Sequence, residues 1–250
     1  LGAYIGWSIL TRLPRDPEWF VLGVLLTMLA TALIGMVLEL AVMRRVYRAP
    51  ELFQLLATFG VVLILQDVTL RLWGPAELSL PRPRWMRGFV EIAGSRFPFY
   101  DLLLIGAGPV VLGLLWLLLH RTRWGTLLRA ATLDREMAAA LGVNQRLLFT
   151  SVFALGAGLA GLGGVLVAPI ASASLFMGMG IALKAFSGAI LGGLDNPRGC
   201  IFGGFALGLL EAGVALWQAQ WREIVIFLLI ILVLAIRPNG LFGARALDKV

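Results

Sequence analysis

Long apolar runs separated by short charged segments dominate the pattern of this chain. Residues 147–170 form a run of 24 residues without a charged side chain, and about 20 helical residues cross the hydrocarbon core of a bilayer. Six further runs are also strongly apolar but contain one or a few charged residues. We therefore predict seven membrane-spanning helices, near Trp19–Met43, Leu52–Trp73, Pro98–Leu119, Leu147–Ile170, Met177–Leu194, Gly199–Trp217 and Glu223–Ile236.

The opening segment, LGAYIGWSIL, is apolar but too short to cross a bilayer alone. We predict that it is the end of a further span and that the chain is N-terminally incomplete. The expected fold class is all-α: a polytopic transmembrane helical bundle of about seven spans plus a partial first one. Residues 1–250 are expected to form a single membrane domain.

The composition supports a membrane protein. Hydrophobic residues make up 60% of the 250-residue chain, charged residues make up 14% and the mean hydropathy is +0.91, which excludes an ordinary soluble domain. The net charge of +7 does not indicate nucleic acid binding, because no basic stripe lies on a soluble face. Lys and Arg instead collect in the cytoplasmic loops of membrane proteins.

The loop charges predict the orientation of the chain. If the loop that contains Arg44 and Arg45 is cytoplasmic, the cytoplasmic side holds 12 Lys and Arg residues and the opposite side 8. This arrangement places the basic segment 121–146 inside the cell. It also places the long connection Gly74–Phe97 outside, where Pro81 and Trp85 predict an irregular cap along the interface.

Small residues recur within the apolar runs and predict close helix packing. Gly156, Ala160 and Gly164 recur every four residues, as do Gly204, Gly208 and Ala212. Between these two ridges, residues 177–204 combine many glycines with Lys184 and Pro197. That mixture predicts a short or broken helix covered by protein or by a water-filled cavity.

Few ionisable groups lie within the predicted spans, so each is a candidate for a special role. We single out Gln66, Asp67, Lys184 and Glu211, which either line a transport pathway or form a polar lock between helices. Lys184 is expected to pair with Glu211 or Asp67. Glu39 lies near the basic end of its span, where it either reaches the interface or pairs with Arg44 or Arg45.

The chain lacks the sequence motifs of common catalytic sites. It has no phosphate-binding G-x-x-x-x-G-K-[ST] loop, no H-E-x-x-H pair, no G-x-S-x-G elbow and a single cysteine, Cys200. We therefore predict no catalytic residues, no metal site and no cofactor in this chain. An ATP-driven process would have to receive its energy from another subunit.

The basic segment 121–146 is the candidate for that contact. Its sequence DREMAAALGVN places small residues on a short helix after Glu136, and Gly142 allows the chain to turn at the end of that helix. The spacing resembles the E-A-A-x-x-x-G coupling element of ABC importer permeases, with Met137 departing from its second position. The candidate coupling residues are Glu136, Ala138, Ala139 and Gly142.

Four longer stretches extend the resemblance. They are ATFGVVLILQDVTLRLWGP (57–75), RTRWGTLLRAATLDREMAAALGVN (121–144), GGLDNPRGCIFGGFALGLLEA (192–212) and LVLAIRPNGLFG (232–243). They are similar to the permeases of branched-chain amino acid ABC importers, especially the H-type subunit. The resemblance implies an importer permease domain from which the first span or spans are missing. It also implies a closing signature that includes Pro238 and Gly240.

The resemblance further implies the partners and the mechanism. A second permease subunit completes the path, two cytoplasmic ATP-binding subunits hold ATP and Mg, and an extracytoplasmic binding protein delivers leucine, isoleucine or valine. The expected location is a bacterial or archaeal cell (inner) membrane, in contact with the lipid bilayer. Three alternatives stay open at this point: a urea or short-amide permease, an ion-coupled secondary transporter that uses Asp67, Lys184 and Glu211, and a structural membrane subunit.

Overall fold

The computed structural model describes residues 1–14, 16–47, 49–86, 88–92, 95–193, 197–237 and 240–241. Helices dominate these ranges, together with one two-stranded hairpin. The helices are α1 (Gly2–Leu10), α2 (Pro17–Leu38), α3 (Arg44–Val46), α4 (Glu51–Trp73), α5 (Phe99–Arg121), α6 (Arg123–Leu133), α7 (Arg135–Ala140), α8 (Gln145–Ala171), α9 (Met177–Gly192), α10 (Pro197–Trp217) and α11 (Arg222–Ile236), and the strands are β1 (Phe89–Ile92) and β2 (Ser95–Pro98).

Among the described residues, five helical segments are long and apolar enough to cross a membrane. They are Pro17–Val46, Leu52–Trp73, Phe99–Arg121, Gln145–Ala171 and Gly199–Trp217. Two further apolar helices are shorter: α9, and residues Ile224–Ile236 of α11. The predicted all-α polytopic bundle is therefore confirmed. Two of the seven predicted spans are short helices, and only the shortness of α9 was predicted, from its glycine content.

Local sequence explains where the helices begin. Pro17 stands at the first position of α2, where its missing N–H costs nothing and its fixed φ suits a helix. Helices α6, α7 and α8 follow Thr122, Asp134 and Asn144, whose side chains accept hydrogen bonds from backbone N–H groups of the first turn. Three successive caps thus divide the basic segment into well-defined helices.

The described residues fall into two compact units, 1–175 and 176–250. In the first unit, α8 packs closely on α1 and α2 through small residues. A Cβ on Gly2 would lie 2.5 Å from Gly161 Cα, and one on Gly158 would lie 3.2 Å from Ala32 Cβ. In the predicted ridge, Gly156 has open space, whereas a Cβ on Gly164 would lie 3.1 Å from Ala3 N. The packing face of α8 therefore runs through Gly158, Gly161 and Gly164, and the predicted ridge shares only Gly164 with it.

This packing face yields a direct test of the α8 contacts. Gly161→Ala should destabilise the protein by about 1–3 kcal/mol, because the new methyl group would lie 2.6 Å from Thr31 Cβ. Gly163→Ala on the same helix is the matched control, because nothing lies within 4 Å of its Cβ position. Thermal unfolding in detergent should show a lower Tm for the first variant only. Equal Tm values for the two variants would contradict the packing.

The long connection between α4 and α5 differs from the predicted irregular cap. Strands β1 and β2 form an antiparallel hairpin that pairs Phe89 with Pro98 and Ile92 with Ser95, which gives these backbone groups partners within the connection. A further bridge joins Leu78 to Ala173, after the end of α8. The start of α5 is anchored by the buried Tyr100, whose hydroxyl donates to the Leu166 carbonyl at 2.7 Å.

The second unit is organised around the close approach of α9 and α10. A Cβ on Gly188 would lie 2.9 Å from Gly204 Cα, and one on Gly203 would lie 2.6 Å from Gly192 N. Gly208 of the predicted ridge has open space. Leu191, Leu207 and Ile226 form the buried apolar cluster that joins α9, α10 and α11. Glycine at the crossing allows the two helix backbones to touch.

Candidate functional site

The basic segment 121–146 folds as two short helices placed between the spans α5 and α8. Asp134 ends α6 and caps α7 by accepting a hydrogen bond from Met137 N at 2.9 Å. At the other end of α7, Gly142 has a φ of +83°, in the left-handed region that favours glycine. Asn144 then accepts from Leu147 N at 3.2 Å and starts α8. This candidate coupling segment is therefore a defined helical element with a fixed exit into a span.

The four candidate coupling residues divide into two groups. Glu136, Ala139 and Gly142 are exposed, whereas Ala138 is buried. Ala138 packs with Ala131 and Leu148 in a small apolar cluster. Its small side chain thus serves the contact between α7 and the neighbouring helices, while the other three residues lie on the accessible surface of the segment.

Large apolar side chains accompany those exposed residues. Leu133, Met137 and Leu141 are 89%, 59% and 78% exposed. They recur every four residues, and Met137 and Leu141 lie on one face of the α7 turn. The loop charges predict that this segment lies in the cytoplasm, where exposed apolar groups on a helix are typical of a surface that another protein covers. The small residues of the segment did not predict this surface, whereas the four-residue spacing of Leu133, Met137 and Leu141 is its signal in the sequence.

Several contacts attach α7 to the start of α8. The Arg135 guanidinium carbon lies 4.3 Å from the centroid of the Phe149 ring, in the range of a cation–π contact. The Gln145 side chain donates to the Arg135 carbonyl. Val143 N donates to the Ala138 carbonyl at 3.1 Å. These bonds cross the turn at Gly142 and fix the direction of α7 relative to α8.

A buried polar cluster lies two turns into α8. The Glu39 side chain is fully enclosed at 1% residue exposure and accepts a hydrogen bond from Thr150 Oγ1 at 2.6 Å. Arg44 Nη2 lies 3.8 Å from Glu39 Oε2 and donates to Thr150 Oγ1 at 3.1 Å. Of the alternatives for Glu39, pairing with Arg44 is confirmed, and exposure at the interface is wrong.

Tyr47, which follows α3, belongs to the same electrostatic cluster. Burial raises the pKa of its phenol above the ordinary value, and the negative charge of Glu39 raises this pKa further. The positive charge of Arg135 on α7 opposes that rise. The pKa of Tyr47 therefore depends on charges at the end of α2 and in the candidate coupling segment.

The candidate pathway residues form two separate ion pairs. Lys184 Nζ on α9 lies 2.5 Å from Glu211 Oε1 on α10, so pairing of Lys184 with Glu211 is confirmed. Asp67 pairs instead with Arg71, one turn along α4, at 2.8 Å. The Asp67 side chain is 54% exposed, and its neighbour Gln66 is half-buried.

The closing signature is described in part. Gly240 has a φ of +81°, and a Cβ there would lie 2.6 Å from the Ile190 carbonyl oxygen. Leu241 N donates to the Leu191 carbonyl at 2.9 Å. Gly240 thus combines a left-handed turn with close contact to the end of α9. Pro238 lies outside the described residues.

Comparison with known proteins decides the family. Residues 1–234 match the family model described as branched-chain amino acid transport system / permease component. The chain belongs to this family. It is a multi-pass membrane permease subunit, in agreement with its apolar helices.

Individual relatives of this permease share its whole length at low identity. It is 26% identical to the high-affinity branched-chain amino acid transport system permease protein LivH of Escherichia coli (strain K12), over all of this chain and 84% of that protein. It is 27% identical to the corresponding protein BraD of Pseudomonas aeruginosa, over all of this chain and 85% of that protein.

A third relative is named for a different solute. The permease is 31% identical to the fructose import permease protein FrcC of Rhizobium meliloti over 132 residues. The matched region covers 49% of this chain and 37% of that protein. No solved structure matches this chain. Among the residues that the structure describes, no group of three His, Cys, Asp or Glu side chains could hold a metal ion.

Proposed function

We propose that this permease moves branched-chain amino acids inward as one membrane subunit of an ABC importer. The observation that supports this proposal most strongly is the match over residues 1–234 to the branched-chain amino acid permease family. The names of LivH and BraD, each similar over the whole of this chain, support the same solute class.

The energy of transport enters, in this proposal, through the coupling segment. Two cytoplasmic subunits bind ATP and Mg and contact the exposed surface formed by Leu133, Met137 and Leu141. Covering these side chains supplies apolar contact area, while the exposed Glu136 at the start of α7 offers a charge at the rim. An extracytoplasmic binding protein delivers the solute, and a second permease subunit completes the pathway across the inner membrane.

ATP binding can drive transport only if it favours one conformation of the permease over another. In the proposal, the ATP-binding subunits change their spacing and displace α7. The capped and bonded turn from Gly142 to Asn144 passes that displacement to α8, which packs along α1 and α2. The access state of the path then changes with the position of α8.

Copurification and reconstitution test this function. The permease, solubilised in mild detergent with its natural companions, should retain two ATP-binding subunits and a second permease. In proteoliposomes with the binding protein, uptake of labelled leucine should require ATP. Met137→Asp/Leu141→Asp should weaken binding of the ATP-binding subunits by about tenfold or more, whereas the second permease should stay bound.

The competing functions predict different results in the same assay. Unlabelled isoleucine and valine should compete with leucine, whereas urea and fructose should not. Leucine uptake driven by a proton gradient through the purified chain alone would contradict the ABC importer and favour the ion-coupled transporter. Unchanged uptake in a complex from which this permease has been removed would indicate a structural role.

A further inference from the structure

The enclosed Glu39 side chain on the membrane-embedded helical segment Pro17–Val46 calls for a physical explanation. A buried carboxylate is costly unless charged or hydrogen-bonding partners compensate for its lost hydration. Thr150 and Arg44 provide those partners, and they are 111 and 5 residues away along the chain. We call Glu39, Arg44 and Thr150 the polar clasp. It connects the end of α2 with the beginning of α8.

The hydrogen bonds of the clasp all run in one direction, from donor to acceptor. Thr150 Oγ1 also lies 2.8 Å from the Arg146 carbonyl oxygen, but a hydroxyl carries one proton, and the charged carboxylate is the stronger acceptor. Thr150 then accepts from Arg44 Nη2 at 3.1 Å. A chain of hydrogen bonds runs from Arg44 through Thr150 to Glu39, so each bond polarises the next.

The clasp lies where apolar packing gives way to an irregular helix. Gly35 is the last α2 glycine against α8, where a Cβ would press on Ala157. Beyond it, Glu39–Met43 form a π-helical turn before α3. A π turn breaks the regular hydrogen-bond ladder and is frequent at functional positions. The clasp therefore ties this irregular part of the segment to α8.

Both ends of the clasp connect to elements relevant to transport. Thr150 lies one residue after Phe149, which holds Arg135 of the coupling segment. Arg44 begins α3, and only the short connection 47–50 separates α3 from α4. Gln54 in the first turn of α4 donates to the Ala49 carbonyl at 2.9 Å. The order of contacts is therefore coupling segment, α8, clasp, α3 and α4.

We propose that the polar clasp passes displacement of the coupling segment to the end of α2 and to the start of α4. Glu39, Arg44 and Thr150 are then positioning residues for transport rather than solute-binding residues. Apolar side chains can slide over one another at little cost, whereas the hydrogen bonds of a buried charge fix both distance and direction. This inference rests on the proposed coupling of the segment 121–146 to ATP-binding subunits.

The test measures solute transported per ATP hydrolysed by the complete complex in proteoliposomes. Thr150→Val removes the hydroxyl at nearly constant volume and should lower this ratio at least about fivefold, with the ATP-binding subunits still bound and active. Thr150→Ser keeps the hydroxyl and should preserve the ratio. A simple loss of folded protein would lower uptake and ATP hydrolysis together and leave the ratio unchanged.

A second variant covers the case in which Thr150→Val does not fold. Glu39→Met/Arg44→Met/Thr150→Val removes the buried carboxylate together with both of its partners, and apolar replacement of all members of such a group is often tolerated. This variant should assemble and show the same low ratio. A folded triple variant with the ratio of the unaltered complex would overturn the inference.

ATP-dependent uptake by Gly142→Val tests the proposed coupling separately from the polar clasp. If Gly142→Val uncouples the complex and the triple clasp variant does not, the inference fails and the proposed function stands. If Gly142→Val transports normally, the coupling assignment and the inference fail, whereas ATP-dependent import stands. If no ATP-binding subunit copurifies, the proposed function and the inference both fail. If Gly142→Val and the clasp variants all uncouple, and Thr150→Ser does not, both are supported.

Discussion

Gly142→Val should abolish most ATP-dependent uptake while leaving the permease in the membrane. Gly142 has a φ of +83°, and a side chain with a β-carbon pays about 1–2 kcal/mol in the left-handed region, more when it is β-branched. The turn between α7 and α8 would shift to relieve that strain. A loss of at least about tenfold in uptake is expected, since a tenfold change corresponds to only about 1.4 kcal/mol.

The measurement compares uptake with ATP hydrolysis in the same proteoliposomes. Hydrolysis should continue while uptake falls, which is the signature of uncoupling. Gly142→Asn is the matched control, because asparagine tolerates the left-handed conformation and no atom lies within 4 Å of the Gly142 Cβ position. This control should retain most of its uptake. Normal uptake by Gly142→Val, or by a variant lacking residues 136–142, would refute the coupling assignment.

Lys184→Met should lower the stability of the permease by about 1–2 kcal/mol, because it removes the ammonium group that pairs with Glu211 in an ion pair that is only partly shielded from solvent. The two charged atoms are 2.5 Å apart, and the Glu211 side chain is mostly buried. The Tm in detergent and the yield of monodisperse protein should both fall. An unchanged Tm would show that Lys184 adds nothing to the packing of α9 on α10.

The double variant Lys184→Met/Glu211→Met separates a structural role from a role in the pathway. Removing both charges leaves no carboxylate that has lost its ammonium partner, so the Tm should recover. If the pair is a polar lock between α9 and α10, uptake recovers with the Tm. If the pair lines the pathway, the folded double variant transports solute poorly. We expect recovery of both, because the pair bridges the helices whose glycines bring them into contact.

The helices followed from the sequence to a large extent, because the lengths of the apolar runs gave the spans. The caps Asp134 and Asn144 were not predicted, although both residue types are typical of helix starts. The hairpin of β1 and β2 was missed because its strands are four residues each, too short for a clear alternation. The π turn at Glu39–Met43 was missed because its local residues fit an ordinary helix.

The contacts of the candidate sites were also predicted only in part. Pairing of Lys184 with Glu211 was one of two possibilities in the sequence, and the distance between their charged atoms decided it. Thr150 gave no signal of its own, since a threonine within an apolar run is common in membrane helices. Its contact with Glu39 joins residues 111 positions apart, which no local pattern contains.

The sequence by itself determined that this chain is a helical membrane protein, because crossing a bilayer requires long apolar helices whose backbone groups bond internally. Its motifs and its match over residues 1–234 determined the permease family. Only the tertiary structure decided which side chains meet: the outward Leu133, Met137 and Leu141, the inward Ala138 and the polar clasp. Composition and spacing fix hydrophobicity and helix length, but contacts between distant segments depend on how the helices pack.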